Sequence, residues 1–142
     1  MKKSNSLILL RVSYWIGAVL DLFVACSMVF PSLFSEIYGL KNIDGPSSLR
    51  AVMGMCASFM IGWSALLIWA DRKPVERKGI LVITVFPVIV GMAGSILHGV
   101  ASGFIPFERA VISLIIQGML IVLFLYSYFS SINTGYSAER IS

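Results

Sequence analysis

The sequence predicts an all-α protein, a four-transmembrane-helix antiparallel bundle with a short amphipathic interfacial helix between its first and second helices. Three observations predict it. Of 142 residues, 58% are hydrophobic and 13% charged, and the mean hydropathy is +0.90, well outside the balance of a soluble globular chain. Four stretches approach or exceed the roughly 20 residues needed to cross about 30 Å of hydrocarbon: residues 7–30, 51–70, 80–101 and 110–129. The charges sit at the ends of these stretches and in short connections, so residues 1–142 read as a single integral membrane domain.

The first span opens on "MKKSNSLILL", which has the basic start of a secretory signal. Arg11 and Asp21 interrupt the apolar run, the run is too long, and three more spans follow, so it reads as a retained helix. The connection after it contains "PSLFSEIYGL", in which Pro31 and Gly39 are the usual start and stop signals of a helix. Leu33, Phe34, Ile37 and Tyr38 share one face, as expected for an amphipathic helix over 31–39 lying on the membrane surface or capping the bundle. "NIDGPSS" supplies a turn, with Ser47 or Ser48 capping the second span.

"DRKPVERKG" joins the second and third spans and carries Arg72, Lys73, Arg77 and Lys78. With Lys2, Lys3 and Arg11 at the start, the positive-inside rule places both segments and both termini in the cytoplasm. "FIPFE" is a short link that makes the third and fourth helices antiparallel neighbours. The net charge of +4 is explained by topology and lipid headgroups. No basic stripe with interleaved aromatics is present, so nucleic acid is not an expected partner.

Placed at about 100° per residue, the small and polar residues of each span gather on one side. On the first helix Arg11, Tyr14, Gly17, Ala18, Asp21, Ala25 and Met28 share a face, with Trp15, Ile16, Val19, Leu20 and Phe23 opposite. The second aligns Arg50, Gly54, Ala57, Ser58, Gly62 and Ala65, a small-xxx-small pattern of the kind that lets membrane helices approach closely. The third aligns Thr84, Pro87, Gly91, Gly94, Ser95, His98 and Ser102, and Pro87 beside Gly91 is a candidate kink that widens a cavity. The fourth aligns Ala110, Ser113, Gln117 and Ile121. These faces are expected to point inward. Trp63 and the other tryptophans, with Tyr126 and Tyr128, are expected to be lipid-facing or interfacial anchors.

Asp21 is the residue that most needs explaining, since an Asp at the centre of a membrane helix costs about 2.5 to 3.5 kcal/mol. By helical rise it lies level with Gln117, near the midplane, with Ser58 and Ser95 higher, His98 higher still and Arg50 at the outer rim. Asp21, Arg50, Ser58, Ser95, His98 and Gln117 are therefore the candidate ligand-binding residues, and Asp21 and His98 the candidate catalytic pair for proton transfer. The competing reading of Asp21 is a buried acid hydrogen-bonded to Gln117 as interhelical glue. Arg11 is expected to snorkel. Cys26 and Cys56 fit neither a disulfide framework nor a CxxC site, and Cys56 lies opposite Gly54, so no metal site is expected.

With the four spans, the interfacial helix, "SLRAVMGMCASFMIGW" opening the second span and "DRKPVERKG" turning into the third, nearly the whole chain resembles the DoxX-like group of small bacterial and archaeal four-helix membrane proteins. The resemblance implies this fold in a prokaryotic plasma membrane. Some members of the group are associated with quinone or thiosulfate oxidation or with thiol stress. It identifies no catalytic residue. The function expected from the residues is binding of a small amphipathic molecule or lipid in a polar pocket open to the outer half of the bilayer, as a homo-oligomer or a subunit of a larger complex. The alternatives are a redox or isomerase-type enzyme subunit acting on a quinone-like or sterol-like substrate, and a small proton-coupled transporter. No cofactor is required by any motif, and a quinone or a lipid is the class of molecule such a pocket would take.

Overall fold

A computed structural model describes residues 2–39 and 47–139, which are helical apart from short connections, with no strand among them. The elements are α1 (Lys2–Val29), α2 (Pro31–Tyr38), α3 (Ser47–Asp71), α4 (Gly79–Ile83), a π-helical stretch Thr84–Ile89, α5 (Val90–Ala101) and α6 (Phe107–Glu139). Four helical segments are long and apolar enough to cross a membrane: Asn5–Val29, Leu49–Asp71, Gly79–Ala101 and Phe107–Ile132. The expected four-span bundle with a short helix after the first span is therefore present. The turn expected over "NIDGPSS" falls mostly on residues 40–46, outside the described residues, and α3 is already helical at Ser47.

α2 ends as its sequence dictates. Gly39 adopts a left-handed conformation at φ 66°, and its N–H closes the helix on the Ser35 carbonyl. Glycine reaches that region without a Cβ penalty. A Cβ at Gly39 would also lie 3.1 Å from Arg109 Cγ, so the same residue lets the end of α2 rest on the start of α6.

The distribution of polarity is inverted relative to a soluble protein. Phe59, Met119 and Val122 are more than two-thirds exposed, whereas Ser13, Ser27, Ser64, Thr84 and Ser127 are buried. Such a surface is stable against lipid, which offers apolar contact and no hydrogen bonds.

α1 is the centre of the bundle, packing chiefly on α3 and then on α6, while the third span packs on α6. Gly17 makes this closeness feasible, since a Cβ there would lie 3.0 Å from both Leu67 Cδ1 and Phe124 Cζ. At the end carrying the 72–78 connection, Leu10, Tyr14, Ala18, Leu67, Leu81, Val85 and Phe124 form a core that is almost fully buried. Polar contacts seal this end. Arg11 Nε lies 3.7 Å from Asp71 Oδ1, Trp15 Nε1 donates to Asp71 Oδ2 at 3.3 Å, and the Tyr14 hydroxyl donates to the Pro74 carbonyl at 3.3 Å. Arg77 donates to the Trp69 carbonyl and lies over the Trp69 ring. Arg11, expected only to snorkel, thus has a partner in Asp71.

Between α1 and α6, Ser13 Oγ donates to the Leu9 carbonyl at 2.9 Å and lies 2.6 Å from Ser127 Oγ. Ser127 Oγ is itself 3.4 Å from the Leu9 carbonyl. Ser13→Ala is therefore expected to destabilise the bundle by only about 0.6 kcal/mol, because Ser127 keeps an acceptor. Thermal unfolding in mild detergent measures this. A loss several times larger would mean that the serine pair organises the α1–α6 contact.

Two of the expected inward faces are corrected. On α3 the buried positions are Met53, Ala57, Ser64, Leu67 and Ala70, about one residue out of phase with the expected face, so Gly54, Ser58 and Gly62 are exposed. No atom lies within 4 Å of a Cβ built at Gly54 or Gly62. On the third span the buried positions are Leu81, Thr84, Val85, Ile89, Ile96 and Gly99, whereas Gly94, Ser95, His98 and Ser102 are exposed. Trp63, expected to face lipid, is half-buried and donates to Thr84 Oγ1 at 3.2 Å, tying α3 to the third span.

Candidate ligand chamber under the short helix

The third span is broken where its sequence predicts a kink. Pro87 lies within the π-helical stretch, and Phe86 departs from helical geometry at φ −115° and ψ 113°. A proline in a helix interior removes a backbone donor and clashes with the preceding turn, so the span is two helices joined at a kink. Above this break α3 and α5 do not pack closely on one another. An apolar groove of about 460 Å³ opens there, lined by Cys56 and Met60 of α3, by Pro87 and Gly91 of the third span, and by Phe34 and Tyr38 of α2.

Beside the groove is a second cavity of about 180 Å³, lined by Asp21 and Phe23 of α1, Tyr38 of α2, and Ser113, Ile116 and Gln117 of α6. Tyr38, Val88 and Met92 line both. The two spaces thus share a wall and lie under the same short helix, as a polar-ended chamber and an apolar annex. The second cavity alone has room for several waters or a small head group.

Asp21 lies eight residues before Val29 and Gln117 ten residues after Phe107, which places both about 12 to 15 Å below their helix ends. Gln117 is only 8% exposed. Asp21 Oδ2 and Gln117 Oε1 are both buried and have no hydrogen-bond partner. The two oxygens line one cavity, and although Ser113, Tyr38 and the Gln117 amide N–H2 carry donors there, neither oxygen is paired with one, an arrangement that costs free energy in an empty bundle. Tyr38 contributes a phenol whose burial pushes its pKa above the usual tyrosine range, so it stays a neutral O–H at the wall between the two spaces. Its ring packs 4.6 Å from that of Phe34.

The candidate residues named from the sequence separate into two groups. Asp21 and Gln117 meet in one cavity, and Ser95 lines the adjoining groove. Ser95 is satisfied on its own helix by the Gly91 carbonyl at 3.0 Å. Ser58 donates to the Gly54 carbonyl at 3.0 Å and is exposed. Ser58, Arg50 and His98 line neither of these two cavities. Among the described residues no group of three or more His, Cys, Asp or Glu could hold a metal ion. Cys56, which the helical wheel puts opposite Gly54, faces the groove.

Three contributors escape the sequence reading. Tyr38 and Ser113 were placed on the correct faces but not joined to the site, and Met92 sits one position past the seam drawn from Gly91. No family model, curated protein or solved structure matches the chain.

Proposed function

We propose that the protein is a non-catalytic, small-molecule-binding membrane protein that holds an amphipathic molecule or lipid in the chamber beneath α2. The observation that carries this reading is the pair of unpartnered buried acceptors, Asp21 Oδ2 and Gln117 Oε1, in a cavity that shares a wall with a larger apolar groove. A polar head in the first and an apolar tail in the second would satisfy both. The positive charge of the 72–78 connection supports a topology with α2 on the outer side of a prokaryotic plasma membrane, in which the ligand would enter from the outer leaflet.

The buried core around Leu10, Tyr14, Leu67 and Phe124 fills the bundle at the end opposite α2 and favours a one-sided pocket over a through-path. A proton relay between Asp21 and His98 has no support from the geometry, because His98 lines neither cavity.

Native mass spectrometry of the protein released gently from its own membrane tests this. The wild type is expected to carry a bound amphiphile that is absent from Met92→Trp, in which a bulkier side chain invades the wall common to both spaces. A wild type that carries nothing the folded variant lacks would contradict the reading.

A further inference from the structure

The chamber's chemistry narrows the class of head group. Its polar end offers Asp21 Oδ2 and Gln117 Oε1 as unsatisfied acceptors, with the Ser113 hydroxyl beside them. Gln117 is more than nine-tenths buried. Among the described residues no Lys, Arg or His lines the cavity, so the Asp21 carboxylate finds no countercharge among them. An anionic head group, carboxylate or phosphate, would set negative charge against Asp21 and leave Asp21 Oδ2 and Gln117 Oε1 without a donor. A quinone carbonyl could accept from Ser113, Tyr38 or the Gln117 amide, but it would bring no donor to Asp21 Oδ2 or Gln117 Oε1. An alcohol supplies one proton, enough for one of the two orphaned oxygens, and no charge.

A protonated primary amine supplies three N–H donors and a positive charge, matching Asp21, Gln117 and Ser113 at once. Phe23 in the same wall adds an aromatic ring of the kind that attracts a desolvated cation. The groove past Tyr38 and Met92 is lined chiefly by Met, Phe, Ile and Val side chains and suits a hydrocarbon chain. Resting on the reading of this chamber as an amphiphile site, we infer that the molecule it selects is a lipophilic primary amine, its ammonium held by Asp21 and Gln117 and its chain lying in the groove beside Cys56. Charge-assisted hydrogen bonds in a water-poor site are the strong ones, so they would separate amine from alcohol more sharply than chain burial would.

The test uses Cys56 as a reporter. In a Cys26→Ser background Cys56 is the only thiol, since the chain has two cysteines. The full chain is reconstituted in nanodiscs, and alkylation of Cys56 is followed with dodecylamine, dodecanol or dodecanoate added at equal mole fraction in the bilayer. Dodecylamine is expected to half-protect Cys56 at a mole fraction at least about tenfold lower than dodecanol, and dodecanoate to protect least. Asp21→Asn should erase the preference for amine, and Gln117→Leu should weaken it.

Equal protection by dodecylamine and dodecanol overturns the amine assignment while leaving an amphiphile chamber in place, and it needs no variant that has to fold. Retention of the amine preference in Asp21→Asn also overturns the assignment. Failure of every chain to slow alkylation contradicts both the assignment and the proposed function.

Discussion

Gly17→Leu is expected to yield a protein that still inserts into the membrane with its helices formed but no longer packs as a bundle. Each span satisfies its own backbone, so insertion does not depend on the contacts between spans. Packing does. A Cβ at Gly17 already lies 3.0 Å from Leu67 Cδ1 and Phe124 Cζ, and both partners are almost fully buried. The remaining leucine carbons have nowhere to go except by prying α1 from α3 and α6. Overpacking at such a site costs about 3 kcal/mol. Gly62→Leu is the matched control, because nothing lies within 4 Å of its Cβ, and it should change stability by less than about 0.5 kcal/mol. Unfolding of both variants by SDS titration, read by circular dichroism, gives the comparison. The reverse order would mean that the inward face of α3 is the Gly54, Ser58, Gly62 side after all.

Asp21→Leu is expected to make the empty protein more stable, by about 2 kcal/mol. Asp21 Oδ2 and Gln117 Oε1 are unsatisfied in the bundle alone, and replacing a buried, unpaired polar group with an apolar one of similar size removes that penalty. Ligand retention should be lost in the same variant, the usual exchange of stability for function at a binding site. The interhelical-glue reading expects the opposite sign, since there Asp21 donates to Gln117 and its removal leaves the amide alone. Thermal unfolding of delipidated wild type and variant in the same detergent decides between them.

Much of the architecture is legible in the sequence for simple reasons. Span length and hydropathy fix the number of crossings, and Pro31 with Gly39 brackets α2. The faces of α1 and α6 are also correct, because a carboxylate and an amide have a strong reason to avoid lipid. Their matched depth then brings Asp21 and Gln117 into one cavity. On the other two spans the same rule fails. Ser58 and Ser95 each return their proton to their own helix, at Gly54 and Gly91, and a serine so satisfied can face lipid. Glycine carries no polarity to hide. On the third span a single wheel drawn from Thr84 to Ser102 also runs through the π-helical break at Thr84–Ile89, which changes the phase of everything after it. The groove follows from that break and from the resulting separation of α3 and α5, neither of which is encoded in one helix's periodicity. His98 entered the candidate site through that mis-phased wheel.

Covalent mapping of a dodecylamine carrying a diazirine in its chain, photolysed with the wild-type protein in nanodiscs, tests the chamber most directly. Adducts are predicted on residues that line the groove and its shared wall, Tyr38, Val88, Met92, Cys56 and Met60, and competition by unlabelled dodecylamine should remove them. Adducts spread over the lipid-facing side chains Phe59, Met119 and Val122, with none on the shared wall, would contradict a binding chamber beneath α2.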